Sequence, residues 1–488
     1  MTGSMLRRSG VALFAAAVLA ALPVLGTERE MTAAAASAPM AGTAGVGAGA
    51  AEGSAGRLGT EQGGGYGSDD GRGFGSGSGR GEGDGCGGGS GGERGHDDDR
   101  GSGKRWRGGW ATSVQAPHGL MPNWSTQGFT DQTVRQVVRV STGGTRARVE
   151  LSNRYGRTPL TVTGATVARA GKGAAVQDGT VRHLRFEGQR SVTVPAGGEV
   201  RSDGLPMKVR ALESLTVTLY LAGPTGPATF HHSAFATTYR ATGDHRAATG
   251  GAAFTEQSQS WYYLSGVEVS GGKDDACRRA VVTFGDSITD GYGSTVDANR
   301  RYPDALAERF AAAGHPRSVL NQGIGGNRVT ADSTWAGEKG VARFRHDVLG
   351  EPHVGTVIVL EGINDIGASA SPDWPDGPAP DVSVAQLIKG HRSLIRQAHA
   401  AGVKVIGATV TPFKGAAYYS ERGEAKRDAL NEWIRTSGEY DEVVDLDRAV
   451  SDPADRDRLA PAYDVGDHLH PSDAGYRAMA EAVDLDEL

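Results

Sequence analysis

A serine, an aspartate and a histidine in the C-terminal part of the chain have the types and spacing that nucleophilic catalysis needs. Ser287 lies in the segment GDSIT of residues 285–289, and His470 follows Asp467 by three positions. A serine hydroxyl is a weak nucleophile until a neighbouring base takes its proton. His470 is the candidate base. Asp467 can accept from the other ring nitrogen, because residues three apart lie on one side of a turn, so the three residues predict serine-dependent acyl transfer.

Two other patterns would give different chemistry, and their context argues against both. Residues 88–92, GGSGG, match the G-x-S-x-G motif around a nucleophilic serine. They lie in a glycine-rich tract, with no strand pattern before them and no helix pattern after them. His468 and His470 form an H-x-H pair, but no other well-placed ligand cluster accompanies them, so we expect no metal site there.

The elements that must position the three residues follow a strand–helix alternation after Cys277. Repeated units of this kind imply a parallel sheet with helices on both faces, and its strand ends collect catalytic groups. The predicted strands are 280–284, 318–320, 356–360, 404–410 and 442–446, and the predicted helices are 302–313, 384–401, 422–436 and 473–483. The segments that adjoin these elements and carry polar residues or glycines are 284–289, 321–327, 361–365 and 467–471.

In this order the four segments resemble the sequence blocks of the SGNH (GDSL-type) hydrolase family, over the whole of residues 276–488. The resemblance implies a flavodoxin-like three-layer α/β/α fold and carboxylic ester hydrolysis without a cofactor. It also implies an oxyanion hole formed by the backbone N–H groups of Ser287 and Gly326 and by the amide of Asn364. Glycine suits position 326, since it lets the backbone approach a substrate closely.

Two further segments are candidates for shaping the substrate site. Residues 368–381, around Trp374, follow Asn364 and are long enough to form a rim or lid. Phe413 follows the fourth predicted strand and is a candidate for the acyl pocket. Each segment is equally consistent with a plain connection.

The N-terminus has the pattern of a secretory signal peptide, predicted over residues 1–38. Arg7 and Arg8 precede an apolar run at 11–25, and small residues at 36–38 offer a cleavage site. The run is roughly 15 residues long, short of the ~20 that span a bilayer. We therefore expect an extracellular protein without a stable membrane anchor, with an uncleaved anchor as the alternative.

Between the signal and the catalytic segments the composition changes once. Residues 39–109 are rich in Gly, Ser and charged residues, which bury too little apolar surface to offset the entropy of ordering, so we expect a disordered linker. Residues 110–272 carry short alternating runs separated by turns, which predict an all-β sandwich of jelly-roll type. His231 and His232 are adjacent there and would face opposite sides of a strand, so we expect ordinary structural roles for them.

Charge and cysteine content exclude several classes of function. The 488 residues carry a formal net charge of −6 without a long basic run, which argues against a nucleic-acid partner. Cys86 and Cys277 are too few for a disulfide framework or a structural zinc site, and whether they pair stays open.

The expected function is therefore a secreted serine esterase, lipase or acylhydrolase. The resemblance leaves an alternative open, an O-acetyl esterase acting on a polysaccharide such as xylan, with the β-sandwich as a carbohydrate-binding module. Aromatic residues of the sandwich could then stack on sugars, although strand aromatics are more often core. The candidates are Trp124, Trp261, Tyr262 and Tyr263.

Overall fold

The structure is a computed structural model that describes residues 105–271, 279–371 and 374–488. The predicted signal peptide, most of the glycine-rich linker, residues 88–92 and both cysteines lie outside these ranges. Among the helices of the described residues, none combines the length and apolar character that a membrane crossing requires.

The N-terminal part of the described chain is the predicted all-β sandwich. One antiparallel sheet has the order β1-β15-β3-β8, with β9 also paired to β3, and the other has the order β13-β12-β2-β10-β5-β6. Val149 and Val267 from the first sheet and Val134 and Leu219 from the second are buried in one shared core. The strands are β1 (Trp106–Ala111), β2 (Gln132–Arg139), β3 (Gly144–Ser152), β4 (Leu160–Val162), β5 (Gly164–Arg169), β6 (Arg182–His183), β7 (Val192–Val194), β8 (Glu199–Arg201), β9 (Leu205–Val209), β10 (Ser214–Leu221), β11 (Phe230–His231), β12 (Thr238–Thr242), β13 (Glu256–Ser258), β14 (Trp261–Tyr262) and β15 (Leu264–Ser270).

The first strand begins at Trp106, inside the segment that the sequence predicts to be linker. Its sequence, WRGGWA, continues the glycine-rich composition, which hides the strand. The two glycines allow close packing. A Cβ added at Gly108 would lie 2.7 Å from Leu320 of the α/β part, and one at Gly109 would lie 3.1 Å from the carbonyl oxygen of Val267.

The C-terminal part has a five-stranded parallel sheet of order β17-β16-β18-β19-β20. This is the flavodoxin-like order, in which the chain moves out from the first strand in both directions. The strands are β16 (Ala280–Gly285), β17 (Val319–Gly323), β18 (Val354–Leu360), β19 (Lys404–Ala408) and β20 (Glu442–Val444), followed by a small hairpin of β21 (Ser451–Asp452) and β22 (Asp455–Leu459). The helices are α1 (Ser287–Asp290), α2 (Tyr302–Ala312), α3 (Gly340–Asp347), α4 (Ile363–Ala370), α5 (Val384–Ala400), α6 (Glu421–Thr436), α7 (Leu446–Val450) and α8 (Asp473–Glu481).

Helices cover both faces of this sheet because its strands are apolar on both sides. Along β16, Val282 and Phe284 enter a core that includes Leu394 of α5, whereas Val281 enters a second core with Phe310 of α2. This alternation follows the two-residue period of a strand. The predicted fold class, a three-layer α/β/α domain after a β-sandwich, is confirmed.

The two parts contact each other directly. Ser113 Oγ, just after β1, donates to Gln322 Oε1 at 2.6 Å, and Arg139 of β2 pairs with Glu308 of α2 at 2.8 Å. His231 of β11 reaches α1. The sandwich is therefore packed against the domain that carries the catalytic segments.

Candidate active site

Ser287 is the first residue of α1, directly after the strand β16. Asp286 caps this short helix, with its side-chain oxygen accepting from the backbone N–H of Ile288 at 3.0 Å. The turn into the helix requires glycine at 285, since a Cβ there would lie 2.1 Å from Thr289 Oγ1 and 2.4 Å from the carbonyl oxygen of Leu360. The Ser287 side chain is thus fixed at the carboxyl end of β16.

His470 lies beside Ser287 and connects it to Asp467. The Nε2 atom of His470 is 2.8 Å from Ser287 Oγ, and its Nδ1 atom is 2.6 Å from Asp467 Oδ2. A carboxylate only accepts hydrogen bonds, so Nδ1 carries the hydrogen and Nε2 is left to accept from the serine hydroxyl. The structure therefore brings together the three residues that the sequence predicts as nucleophile, base and orienting carboxylate.

Asp467 is held as a carboxylate by its surroundings. Its Oδ1 accepts from the backbone N–H groups of Leu469 at 3.0 Å and His470 at 2.9 Å. Burial raises the pKa of this carboxyl, but the hydrogen bond and charge of His470 and the two backbone bonds outweigh burial and lower the pKa to about 2. Asp467 is therefore ionised at neutral pH and stabilises a positive charge on His470.

Gly326 and Asn364 lie at the same cavity as the three residues above. Gly326 has a φ of +76°, and a Cβ there would lie 2.1 Å from the ring of Trp335, so both the backbone and the space require glycine. Asn364 Nδ2 donates to the carbonyl oxygen of Asn327 at 3.1 Å. An amide has two hydrogens, so this bond orients the group and leaves a second donor.

A buried network of charged side chains, centred on Arg343, lies behind the cavity residues. The sequence does not predict this network. Arg343 of α3 donates to the carbonyl oxygen of Gly285 at 2.7 Å and to Asn327 Oδ1 at 2.8 Å, and its Nη2 is 3.4 Å from Glu361. It thereby joins the ends of β16, β17 and β18. No local motif marks an arginine for this position, because all three contacts come from distant parts of the chain.

Two carboxyl groups in this network have perturbed ionisation. Burial raises the pKa of Asp286 to about 7, against the lowering effects of the Ile288 N–H and of His470. Burial, together with the charge of Asp286, raises the pKa of Glu361 well above its usual range.

A cavity of about 140 Å³ opens at Ser287, with walls that are mainly apolar and aromatic. Trp374 lines it, as the sequence suggested, and its ring centre is 5.8 Å from that of Trp335. Phe413 does not line it, so that candidate is wrong: it is 0% exposed and packs behind Tyr418, which forms the wall instead. The remaining lining residues are Met121, His232, Ser233, Ser287, Tyr292, Gly325, Gly326, Asn364, Ala416, Ala417, Asp467, Leu469 and His470.

The aromatic residues suggested as a sugar platform do not form one. Trp124, Trp261, Tyr262 and Tyr263 are all buried in the sandwich core. Trp124 stacks on Tyr262 at 5.5 Å between ring centres. Of the two roles that the sequence left open for these side chains, the structure shows the core role, in which they hold the two sheets together.

His468, the other member of the H-x-H pair, is directed away from the catalytic pair. Its Nδ1 is 2.6 Å from Asp464 Oδ2, and its side chain is half exposed. Within residues 105–271, 279–371 and 374–488, the group of three side chains close enough to share a cation is Glu424, Asp428 and Asp457, and none of them lines the cavity.

The fold and the site together define a class, an α/β/α domain with a serine–histidine–aspartate set at the carboxyl edge of a flavodoxin-like sheet. Residues 283–478 match the model of the GDSL-like Lipase/Acylhydrolase family. The C-terminal domain is therefore a GDSL-like hydrolase domain, preceded in this chain by a β-sandwich, and the resemblance inferred from the sequence is confirmed.

Several solved structures are similar to a part of the chain. The lipase/acylhydrolase from Enterococcus faecalis is 22% identical, with 42% of this chain and 92% of that chain covered and a TM-score of 0.33. A GDSL-like lipase from Bacteroides thetaiotaomicron is 20% identical, with 42% and 85% covered and a TM-score of 0.32. The acetyl xylan esterase AlAXEase is 22% identical, with 42% and 96% covered and a TM-score of 0.32. No curated protein matches the chain.

Proposed function

We propose that the chain is a serine hydrolase of carboxylic esters that works through an acyl group on Ser287. The observation that carries the proposal is the continuous contact from Ser287 Oγ to His470 Nε2 at 2.8 Å and from His470 Nδ1 to Asp467 Oδ2 at 2.6 Å. The signal segment predicted from the sequence adds an extracellular place of action to this proposal.

In the first half of the reaction, Ser287 Oγ attacks the ester carbonyl carbon while His470 Nε2 takes the hydroxyl proton. The resulting imidazolium is stabilised by the Asp467 carboxylate. The negative charge on the carbonyl oxygen is stabilised by the N–H groups of Ser287 and Gly326 and by the free hydrogen of the Asn364 amide, and one such donor is typically worth ~2.7–4 kcal/mol. The tetrahedral intermediate then breaks its bond to the alcohol oxygen, which receives the proton from His470.

In the second half, water replaces the alcohol. The water oxygen attacks the acyl carbon while His470 takes a proton from the water. The N–H groups of Ser287 and Gly326 and the Asn364 amide stabilise the second tetrahedral intermediate. Its collapse breaks the bond to Ser287 Oγ, which recovers a proton from His470, and the carboxylic acid leaves. No cofactor enters either half.

The cavity supports a small, uncharged substrate group. About 140 Å³ is close to the ~150 Å³ of an apolar cavity that accepts benzene. Lysine and arginine do not occur among its lining residues, and its walls include Trp335, Trp374 and Tyr418. Short-chain or aryl esters therefore fit better than long acyl chains. Removal of acetyl groups from a glycan such as xylan is the second candidate, favoured by this small volume.

The test is a comparison of rates over p-nitrophenyl esters of increasing acyl length, with acetylated xylan as a further substrate. The acetyl or butyl ester should give the highest kcat/KM, and release of acetate from xylan at a comparable rate would favour the glycan candidate. Ser287→Ala should lower kcat/KM by about 10⁴-fold or more at an unchanged melting temperature. Near-normal turnover by this variant would contradict the proposal.

A second measurement identifies the nucleophile independently of rates. An alkyl fluorophosphonate should modify the folded protein once, and mass spectrometry should place the added group on the peptide that contains Ser287. Pretreatment with the fluorophosphonate should lower the rate of ester hydrolysis in proportion to the fraction of protein labelled. A label on another serine, with activity lost in parallel, would identify that serine as the nucleophile instead of Ser287.

A further inference from the structure

His231 of the β-sandwich makes a buried contact with the helix that begins at Ser287. Its Nε2 atom lies 3.0 Å from Oδ1 of Asp290, the last residue of α1, and its Nδ1 atom lies 2.8 Å from the carbonyl oxygen of Ser113. The two side chains are 2% and 5% exposed. The ring of Trp261 is stacked on that of His231, with centres 5.5 Å apart.

The hydrogen-bond pattern indicates where the hydrogens of this pair lie. Both ring nitrogens of His231 face oxygen atoms, and the carbonyl of Ser113 can only accept. Nδ1 therefore carries a hydrogen, and a second hydrogen lies between Nε2 and Asp290.

Asp290 also contacts the loop after β17, and so links that loop to His231. Its second oxygen, Oδ2, accepts from the backbone N–H of Gly325 at 3.1 Å. Gly325 directly precedes Gly326, whose N–H is assigned to the oxyanion in the proposed function. The orientation of the peptide at Gly325 therefore depends on where Asp290 is held, and His231 holds it.

The neighbouring sandwich residues reach the cavity itself. His232 and Ser233 line it together with Met121 from an earlier sandwich loop. Ser233 Oγ would lie 3.7 Å from a Cβ built on Gly325, so the sandwich borders the loop that carries Gly325 and Gly326. Burial, with the repulsion of His118 and His231, lowers the pKa of His232 to about 3, so this wall of the cavity is uncharged at neutral pH.

We propose that His231 is a positioning residue, which acts through Asp290 to hold the Gly325–Gly326 backbone in the orientation that stabilises the oxyanion. The inference rests on the proposed function and gives the β-sandwich a part in catalysis, as the element that completes and orders the active site. An oxyanion donor acts mainly in the transition state, so disturbing its position lowers kcat and leaves KM almost unchanged.

The test compares His231→Gln with His231→Asn. The longer glutamine amide places an N–H donor near the position of Nε2, toward Asp290, whereas the asparagine amide corresponds to Nδ1, toward Ser113. His231→Gln should keep kcat for p-nitrophenyl acetate within about threefold, and His231→Asn should lower it by about tenfold to a hundredfold with KM within about twofold. Affinity for a trifluoromethyl ketone, which forms a tetrahedral adduct, should fall by the same factor as kcat/KM.

The control is Glu308→Ala, which removes a different contact between sandwich and α/β domain, the ion pair with Arg139. It should lower the melting temperature without changing kcat or ketone affinity. Unchanged kcat in both His231 variants would overturn the inference, as would equal losses in the two. If His231→Asn does not fold, the test rests on kcat of His231→Gln. A tenfold loss of kcat in that folded variant counts against positioning by the Nε2 contact.

Failure of this inference is distinguishable from failure of the proposed function. If the unsubstituted protein hydrolyses esters, Ser287→Ala is inactive and the His231 variants keep full kcat, only the positioning role is lost. If Ser287→Ala retains the rate of the unsubstituted protein, the assignment of the whole site is wrong.

Discussion

Ser287 and His470 are 183 positions apart in the chain, yet Oγ of the serine lies 2.8 Å from Nε2 of the histidine. They meet because β16 ends at one edge of the parallel sheet and the loop before α8 returns to that edge. This hydrogen bond aligns the nucleophile with its base. Tyr292 packs against the imidazole, with ring centres 4.4 Å apart, and restricts its rotation.

The chain contains its own control for the catalytic histidine. His468 and His470 are each paired with an aspartate at 2.6 Å, but only His470 reaches Ser287. We expect His470→Ala to lower kcat/KM for p-nitrophenyl acetate by about 10⁴-fold or more, because the serine loses its base. His468→Ala should keep kcat/KM within about twofold. A comparable loss in both variants would show that the loop, and not the base, had been disturbed.

Gly337 is a matched control for Gly326, because both positions have a φ of +76°. A Cβ at Gly326 would overlap the ring of Trp335 at 2.1 Å, whereas a Cβ at Gly337 meets its nearest atom, on Ile324, at 3.4 Å. Both alanine variants should lose about 1–2 kcal/mol of stability from backbone strain.

Only Gly326→Ala should also lose activity, by about 10²-fold or more in kcat, because its N–H is displaced from the oxyanion. Urea denaturation and steady-state kinetics on the two variants check this. Equal kcat in both would argue against a role for the Gly326 N–H.

The α/β architecture could be predicted because its signals are local. Buried strands, amphipathic helices and the segments at strand ends, such as 285–289 and 467–471, each have a pattern within a few residues. The order of these segments along the chain is enough to place them at one edge of a parallel sheet. The predicted strand bounds differ from the observed ones by only a few residues, as at Val319–Gly323.

What could not be predicted depends on packing between distant parts of the chain. His231 was expected to be an ordinary strand residue, because nothing in its neighbourhood points to Asp290. The sequence leaves the four sandwich aromatics open as sugar-binding candidates, because their burial depends on how the two sheets face each other. Phe413 and Tyr418 are five positions apart, and only the fold determines which of them reaches the cavity.

The size of the cavity predicts how substrate preference responds to substitution. Trp374 lines the cavity and Phe413 lies behind it, so Trp374→Ala enlarges the space that the substrate enters and Phe413→Leu does not. We expect Trp374→Ala to shift the preferred acyl chain of p-nitrophenyl esters to longer lengths. Phe413→Leu should lose about 1–1.5 kcal/mol of stability and keep the same preferred length. An unchanged chain-length profile for Trp374→Ala would mean that the acyl group binds elsewhere.

Asp286 predicts a specific pH dependence of stability. Its buried carboxyl caps α1, and burial raises its pKa to about 7, above the ~3.9 of an unfolded chain. A carboxyl with a raised pKa in the folded state contributes stability below the unfolded pKa and loses it as the pH rises through the folded pKa. Asp286→Asn keeps an oxygen that accepts from Ile288 and cannot ionise. The stability of this variant relative to the unsubstituted protein should therefore increase from pH 4 to pH 7, by at most about 1.4 kcal/mol per pH unit.

Asp376 provides a control of opposite sign. Burial raises its pKa, but hydrogen bonds from Ser333 and Thr334 outweigh burial and lower it. A lowered pKa stabilises the folded state above the unfolded pKa, and this stability is lost as the pH falls through the folded pKa. The free energy of unfolding that Asp376→Asn loses relative to the unsubstituted protein should therefore be constant near neutral pH and shrink below about pH 4. Urea unfolding of both variants from pH 3 to pH 8 measures the two slopes. A difference between Asp286→Asn and the unsubstituted protein that does not change with pH would mean that the carboxyl of Asp286 has the same pKa in the folded and unfolded states, which would contradict the raised pKa.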